Sequence, residues 1–386
     1  MTTSAVQSQR SVPEGLPGIT GQVVYVYAFD LAYDTLRKPI TSLLGQPVEQ
    51  LVVDSTKRGP KHLSFYRPQM VRLPSLQRTY AGGSLSIDIS IKLLPVGAIS
   101  IRVCVPFRVG KIDQLIAFHD LRFADGSFLY DEVKAIAAKA RQELAPVLVR
   151  PVGQLPEEEA YTIFCIHSPM RDAQGRRVDA EDWLAQHRRA VASLLTEEAD
   201  QARLSDQEAE ESTGKSFSYF EDDLVVIDWD AAIIVDEPRS FDEILYLMEL
   251  ANVQLAELEA YDRILDAAVE RAYRDLSVYR FRGVKTRLIQ RDLRELRVDL
   301  ARLSDELSNI TKFFGDWHLA RIYKGLSDRF HLSDWHHSID EKLKTLDDLY
   351  QIIRSDSTNR WMLTLEVAVV ILFVIELVNS LLHFAK

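Results

Sequence analysis

Residues 84–107 read SLSIDISIKLLPVGAISIRVCVPF, two runs in which apolar side chains take every second place. Leu85, Ile87, Ile89, Ile91 and Leu93 mark the first run, and Ile99, Ile101, Val103 and Val105 the second. A period of two belongs to strands with one face on a core, and Pro95-Val96-Gly97 supplies a turn between them. The stretch predicts a β-hairpin, and the rest of the N-terminal half is read against it.

Upstream, residues 21–29 (GQVVYVYAF) predict a strand and residues 31–44 a helix. Residues 1–20 are polar and carry Pro13 and Pro17, which predicts disorder. Residues 55–76 predict a long loop whose cations, Lys57, Arg58, Lys61, Arg67 and Arg72, read as solvated. Downstream, residues 128–144 predict an amphipathic helix and residues 161–167 a strand. A second helix, to Leu195, is opened by Asp179 as N-cap with Asp182 three residues on. The alternation of strands and helices implies an α+β domain over residues 21–238, with a ferredoxin-like layer. Within it, residues 196–215 (TEEADQARLSDQEAEESTGK) read as an acidic mobile linker, and DDLVVIDWDAAIIVDE, residues 222–237, as a strand pair turning at 228–230.

From Phe241 the period changes. Phe241, Ile244, Met248, Ala251, Leu255 and Leu258 begin a series spaced three and four, in which Asp262 is the polar exception. After a break at Gly283 the seam resumes at Ile289, Leu293, Leu296, Leu300, Leu303, Leu307, Ile310 and Phe314. A third helix carries Leu332, His336, Ile339, Leu343, Leu346, Tyr350 and Ile353. Residues 239–356 therefore predict a coiled-coil stalk, either an antiparallel bundle or one whose middle helix pairs with another chain.

Residues 357–386 follow, and the mostly apolar span 361–384 would measure about 36 Å as a helix, enough for a hydrocarbon core of ~30 Å. Trp361 stands at its entry, Arg354 and Arg360 precede it, and His383 and Lys386 end it. The expectation is a single transmembrane tail anchor with the bulk of the chain on the cytoplasmic side, at the inner membrane in a bacterium. Glu366 and Glu376 lie inside the span, about 80° apart around a helix, with Asn379 and Ser380 one turn beyond the second. A carboxylate at that depth costs ~2.5–3.5 kcal/mol, so these residues read as either a tolerated pair or an oligomer interface.

Composition sets the outer bounds. At 386 residues and a net charge of −11, the chain has the size of two or three domains and lacks the basic excess that nucleic acid binding needs. Cys104 and Cys165 each sit in an apolar run and read as reduced thiols of a reducing compartment. The opening MTTSAVQSQRSVPEGLPG has no apolar core for a secretory signal. With one arginine and Glu14 it is also a poor mitochondrial presequence.

Asp316-Trp317, Ile322-Tyr323, residues 340–343 (DEKL), Leu346 with Leu349, Arg360, Leu365-Glu366 and Glu376-Leu377 occur in that order over the last ~75 residues. This series resembles the family named "required for meiotic nuclear division", although Val367 stands where the family commonly has Trp. The resemblance implies a membrane-anchored, oligomer-forming protein with mitochondrial relatives that support organellar translation, and no established chemistry.

Three sets of residues are weighed for chemistry. Ser212-Thr213-Gly214-Lys215-Ser216 resembles the end of a phosphate-binding loop, but Ala209 stands in place of its first glycine. Asp334, His336, His337, Asp340 and Glu341 offer i, i+4 pairs to a metal without a ligand from elsewhere. Glu221, Asp222, Asp223, Asp228 and Asp230 crowd a hairpin, where solvated carboxylates are the ordinary reading. No catalytic, cofactor or metal site is expected. The expected function is an oligomeric scaffold or tether bound to lipid, with a protein partner for the α+β domain. The alternative is a channel-like assembly lined by Glu366 and Glu376.

Overall fold

In the computed structural model the described residues are 18–35, 40–50, 69–80, 83–94, 97–151, 158–171, 175–278, 298 and 317–384. The backbone alone is described at 33–35, 50, 150, 275–278, 353–361 and 377–384. The chain divides into two compact units, Met1–Glu257 with Asn309–Ser333, and Leu258–Ser308 with Asp334–Lys386.

The hairpin at 84–107 forms as its alternation requires. β1 (Ile19–Asp30) is followed by β2 (Gly83–Leu93) and β3 (Ala98–Val109), which pair antiparallel with Ile89 opposite Val103 and Leu93 opposite Ile99. α1 (Leu129–Leu144) then leads to β4 (Glu159–His167). α2 (Ala180–Leu195), α3 (Asp206–Ser212), β5 (Leu224–Ile227) and β6 (Ala231–Asp236) complete the sheet region. Asp179 caps α2 as expected, its carboxylate accepting from the amides of Glu181 and Asp182 at 2.9 and 3.2 Å.

The fold is α+β around a mixed sheet. Nine strands lie on one path: Ser216–Phe217, β5, β6, β4, β1, β3, β2, Gln69–Arg72 and Glu49–Gln50, with Leu76–Tyr80 branching onto β2. β4 and β6 run parallel, and the other neighbours antiparallel. The run β4-β1-β3-β2 has the 4-1-3-2 order of a ferredoxin-like layer, but the sheet extends beyond it on both sides. No helix stands between β1 and β2 among the described residues. Within the helix expected at 31–44, the described residues form short strands instead: Ala32–Thr35 pairs with Leu148–Pro151, and Ser42–Leu43 with Gln46–Pro47, while 36–39 lie outside the described residues. The sequence carries a reason in Pro39, since a proline has no amide hydrogen to donate within a helix.

Both faces of the sheet are covered. Val23, Tyr25, Tyr27 and Phe29 of β1 share one core with Val133 and Ala137 of α1 and with Trp183 and Val191 of α2. On the opposite face Ala28, Leu94 and Ala98 meet Val253 and Ala256 of α4 (Phe241–Val278). Residues 244–258 of α4 are buried without interruption, so this half of the helix is enclosed on every side. Part of that cover comes from α5 (Trp317–Arg329), whose Tyr323 hydroxyl donates to Gln254 Oε1 at 2.7 Å. The expected linker at 196–215 is likewise built in. Ser205 caps α3 through the Glu208 amide, and Ala209, Ser212 and Thr213 are buried.

In the second unit the C-terminal half of α4 buries Leu258, Leu265 and Ala272, and α6 (Leu332–Phe384) buries Ile339, Leu343, Leu346 and Tyr350. Lys342 of α6 reaches Asp262 and Asp266 of α4, both at 2.6 Å. α6 is one 53-residue helix that runs through the expected boundary between stalk and tail at 356–357. Among the described residues no helix is long and apolar enough to cross a membrane.

Candidate functional site

Two features of the fold stand out chemically: a buried charge cluster under α4, and the apolar run of α6. The cluster grows from the second face of the hairpin. Alternation that sends Ile91, Ile99 and Ile101 into one core turns Lys92, Ser100 and Arg102 to the other side, under α4. There Glu249 receives all three. Lys92 Nζ donates to Oε2, Arg102 Nη2 donates to Oε2 at 2.9 Å, and Ser100 Oγ donates to Oε1 at 2.6 Å. Arg102 Nη1 also lies 3.5 Å from Asp242, and the Lys92 ammonium stands 5.1 Å from the centre of the Tyr246 ring.

Burial alone would raise the Glu249 carboxyl. The charges of Lys92 and Arg102, with hydrogen bonds from Lys92 and Ser100, overcome it and bring the group down to about 2. The Lys92 pKa is lowered as well, because desolvation outweighs its attraction to Glu249. At neutral pH Glu249 is therefore ionised and fully engaged, which suits a clamp rather than a general base. A small cleft opens beside it, lined by Leu94, Tyr246, Leu250 and Val253 with Lys92, Ser100 and Glu249.

Sequence reasoning did not find this cluster. Its signal was indirect. Residues 23–29 (VVYVYAF) do not alternate, which is how a strand covered on both faces reads.

Of the residues singled out in sequence, Glu366 and Glu376 are exposed on α6, while Trp361, Asn379 and Ser380 have only their backbone described there. The seam Ile289, Leu293, Leu296, Leu300, Leu303, Leu307, Ile310 and Phe314 lies outside the described residues. The acidic hairpin set is divided. Asp223 accepts from the amides of Tyr219 and Phe220, whereas Asp228 pairs with Arg329 at 2.6 Å. The segment 212–216 ends α3 instead of opening a helix, and Lys215 faces Asp328 at 3.7 Å, so its geometry is not that of a phosphate cradle. His337 meets Glu341 at 3.4 Å on the surface, and among the described residues no group of three His, Cys, Asp or Glu could hold a metal. Cys104 and Cys165 are unpaired, on strands separated by β1, and burial raises both thiols, Cys104 to about 11.

With this geometry in place, residues 20–242 match the family described as "Uncharacterized protein MJ0711, N-terminal domain". The chain belongs to that family. The uncharacterized protein MJ0711 of Methanocaldococcus jannaschii is 24% identical over 223 residues, covering 58% of this chain and 66% of the relative. The match thus spans just under two thirds of that relative's length. No solved structure matches. The resemblance to the "required for meiotic nuclear division" family is overturned. It rested on the last ~75 residues, whereas the family match covers the sheet region and stops at the second residue of α4. Lys92, Ser100 and Arg102 lie within the family domain, and Glu249, which clamps them, lies just beyond it.

Proposed function

We propose that the protein is a membrane-anchored scaffold or tether, in which the apolar run of α6 enters lipid and the family domain presents a binding surface on the cytoplasmic side. One observation carries the reading. Between Met362 and Ile375 eleven large apolar side chains are 49–69% exposed, and the unbroken run 369–375 takes them round the whole helix. A water-soluble monomer keeps its largest apolar patch to ~300–600 Å², and a girdle of this extent asks for an apolar solvent or a partner. Residues 377–384 continue the helix with LVNSLLHF, which would lengthen the span toward bilayer thickness. The reading assigns the family domain no chemistry of its own.

The test is flotation of the full-length protein with phosphatidylcholine vesicles after alkaline carbonate washing. Co-flotation is expected, and loss of it is expected for Val370→Arg with Phe373→Arg. A full-length protein that stays soluble without detergent overturns the anchor. The scaffold half predicts an oligomer in detergent that Leu300→Asp with Leu307→Asp dissociates, and a monomer before mutation removes it. A channel reading is favoured by the exposure of Glu366 and Glu376 on the same helix. Ion flux from reconstituted protein that Glu376→Gln abolishes would replace the scaffold with it.

A further inference from the structure

The loop 218–223 and the first turn of α5 hold large aromatic side chains in solvent. Tyr219 is 66% exposed, Phe220 58% and Trp317 79%. The loop is held in shape. Asp223, itself buried, accepts the amides of Tyr219 at 2.7 Å and Phe220 at 3.0 Å, and Ser218 Oγ donates to Glu181 at 2.5 Å. The rings then brace one another: Tyr219 meets Phe220 edge-on at 4.7 Å and His318 at 5.6 Å. Aromatic side chains fixed in this way lose little freedom on binding, which is the character of an interface hot spot.

The rim beside these rings is acidic. β5 and β6 place Leu224 opposite Val235, so Asp222 and Asp223 sit across from Asp236 and Glu237, and Glu221 is exposed alongside. Partial burial raises the Asp236 carboxyl to about 6. The neighbouring Asp223, Glu237 and Asp222 add to the rise against the hydrogen bond from the Glu237 amide. Arg239 already meets Glu237 at 2.5 Å, so Asp222 and Asp236 are the carboxylates that an incoming cation would relieve.

We infer that Tyr219, Phe220 and Trp317, with the carboxylates of Glu221, Asp222 and Asp236, form a docking surface for a basic polypeptide segment that carries a large apolar or aromatic side chain. The rings supply an apolar anchor point, and the rim selects Lys and Arg over acidic sequences. This gives the scaffold a class of partner, but it stands on the first unit alone, so its failure leaves the anchor untouched.

The experiment pans full-length protein in nanodiscs against a random dodecapeptide library on phage, with empty nanodiscs as counter-selection. Enriched peptides are expected to carry an excess of Lys and Arg beside Trp, Phe or Leu. An enriched peptide, synthesised with a dye, should bind more weakly as salt rises, and by roughly 30-fold more weakly to Phe220→Ser, the scale of a hot-spot truncation. Asp222→Lys, which leaves every ring in place, should weaken it as well. No enrichment, enrichment without basic residues, or binding that both variants leave unchanged overturns the proposal. Peptides that bind empty nanodiscs equally well assign the affinity to lipid and overturn it too, as does an oligomer that Phe220→Ser dissociates, which would make a second copy the occupant.

Discussion

Replacing Glu249 by Gln tests the clamp between α4 and the sheet. The carboxyl is held at about 2 against an ordinary value of 4.5, which corresponds to about 3 kcal/mol of preferential stabilisation of the ionised folded state. The sign follows from the depressed value. The contribution is fully present above pH 4.5 and is lost as pH falls from 4.5 through 2. Mutational experience with buried pairs gives a similar figure, ~3–5 kcal/mol, when one partner is removed and the other charge is left buried. Here two cations would be left, Lys92 at 5% and Arg102 at 14% side-chain exposure. Glu249→Gln is therefore expected to lower the opening free energy of the β3 amides by about 3 kcal/mol at pH 7. Native-state hydrogen exchange of the full-length protein measures it residue by residue. Lys92→Met in the same chain should recover part of the loss, since the stranded ammonium is then gone. The wild type should also lose more protection than Glu249→Gln on acidification from pH 4.5 to 2, until the two converge. A variant within ~1 kcal/mol of wild type at pH 7, with parallel acid profiles, would refute the clamp.

Two further outcomes follow from local geometry. Gly21 lies where β1 pairs with β4, opposite Ile166, and a Cβ there would stand 2.0 Å from the Cys165 carbonyl oxygen and 2.8 Å from the Phe107 ring. Backbone cannot give way as a side chain does, so Gly21→Ala should exceed the ~1–3 kcal/mol usual for overpacking, and an unchanged melting temperature would contradict the β1–β4 register. Asp236, raised to about 6 from 3.8, binds its proton more tightly in the folded state. Its ionisation then costs stability that grows as pH rises from 3.8 through 6. Asp236→Asn should be the more stable protein at pH 7, with the difference closing toward pH 4, and chemical denaturation at the two pH values decides it.

What the sequence could and could not reveal follows from how far its signals reach. The hairpin at 84–107 was legible because alternation is local, and the same holds for the Asp179 cap and the strand pair at 222–237. The cover on the second sheet face was not. A period of two reports which side is apolar, not whether the polar side, here Lys92, Ser100 and Arg102, meets water. Their carboxylate partner lies about 150 residues away in a helix that reads as a stalk. α4 itself shows the limit of heptad reading: Met248, Ala251, Leu255 and Leu258 are buried as a seam requires, but so are Glu249, Asn252, Gln254 and Glu257 between them. A polar residue on the supposed outer face becomes a core residue once a partner arrives from elsewhere in the chain, and one sequence does not print that partner. Residues 196–215 misled for a related reason. Their composition is that of a linker, yet the Ser205 cap and the small Ala209 let α3 pack with few large apolar side chains.

The one polar member of the first heptad series, Asp262, has a clear place in the second unit. It receives Lys342 from α6 together with Asp266. A buried or half-buried charge in a helical seam fixes register more than it adds stability, since only one alignment satisfies it. The exposed ring of apolar residues begins at Met362, twenty residues along the same helix from Lys342. Setting the register of α6 against α4 therefore sets how far the apolar run projects beyond its contact with α4, at 1.5 Å per residue. With α4 and α6 joined inside one chain, an oligomer of the proposed kind would be left the seam expected at 289–314 and the apolar run for pairing between copies. The seam substitutions and the apolar-run substitutions test these two proposed contacts one at a time.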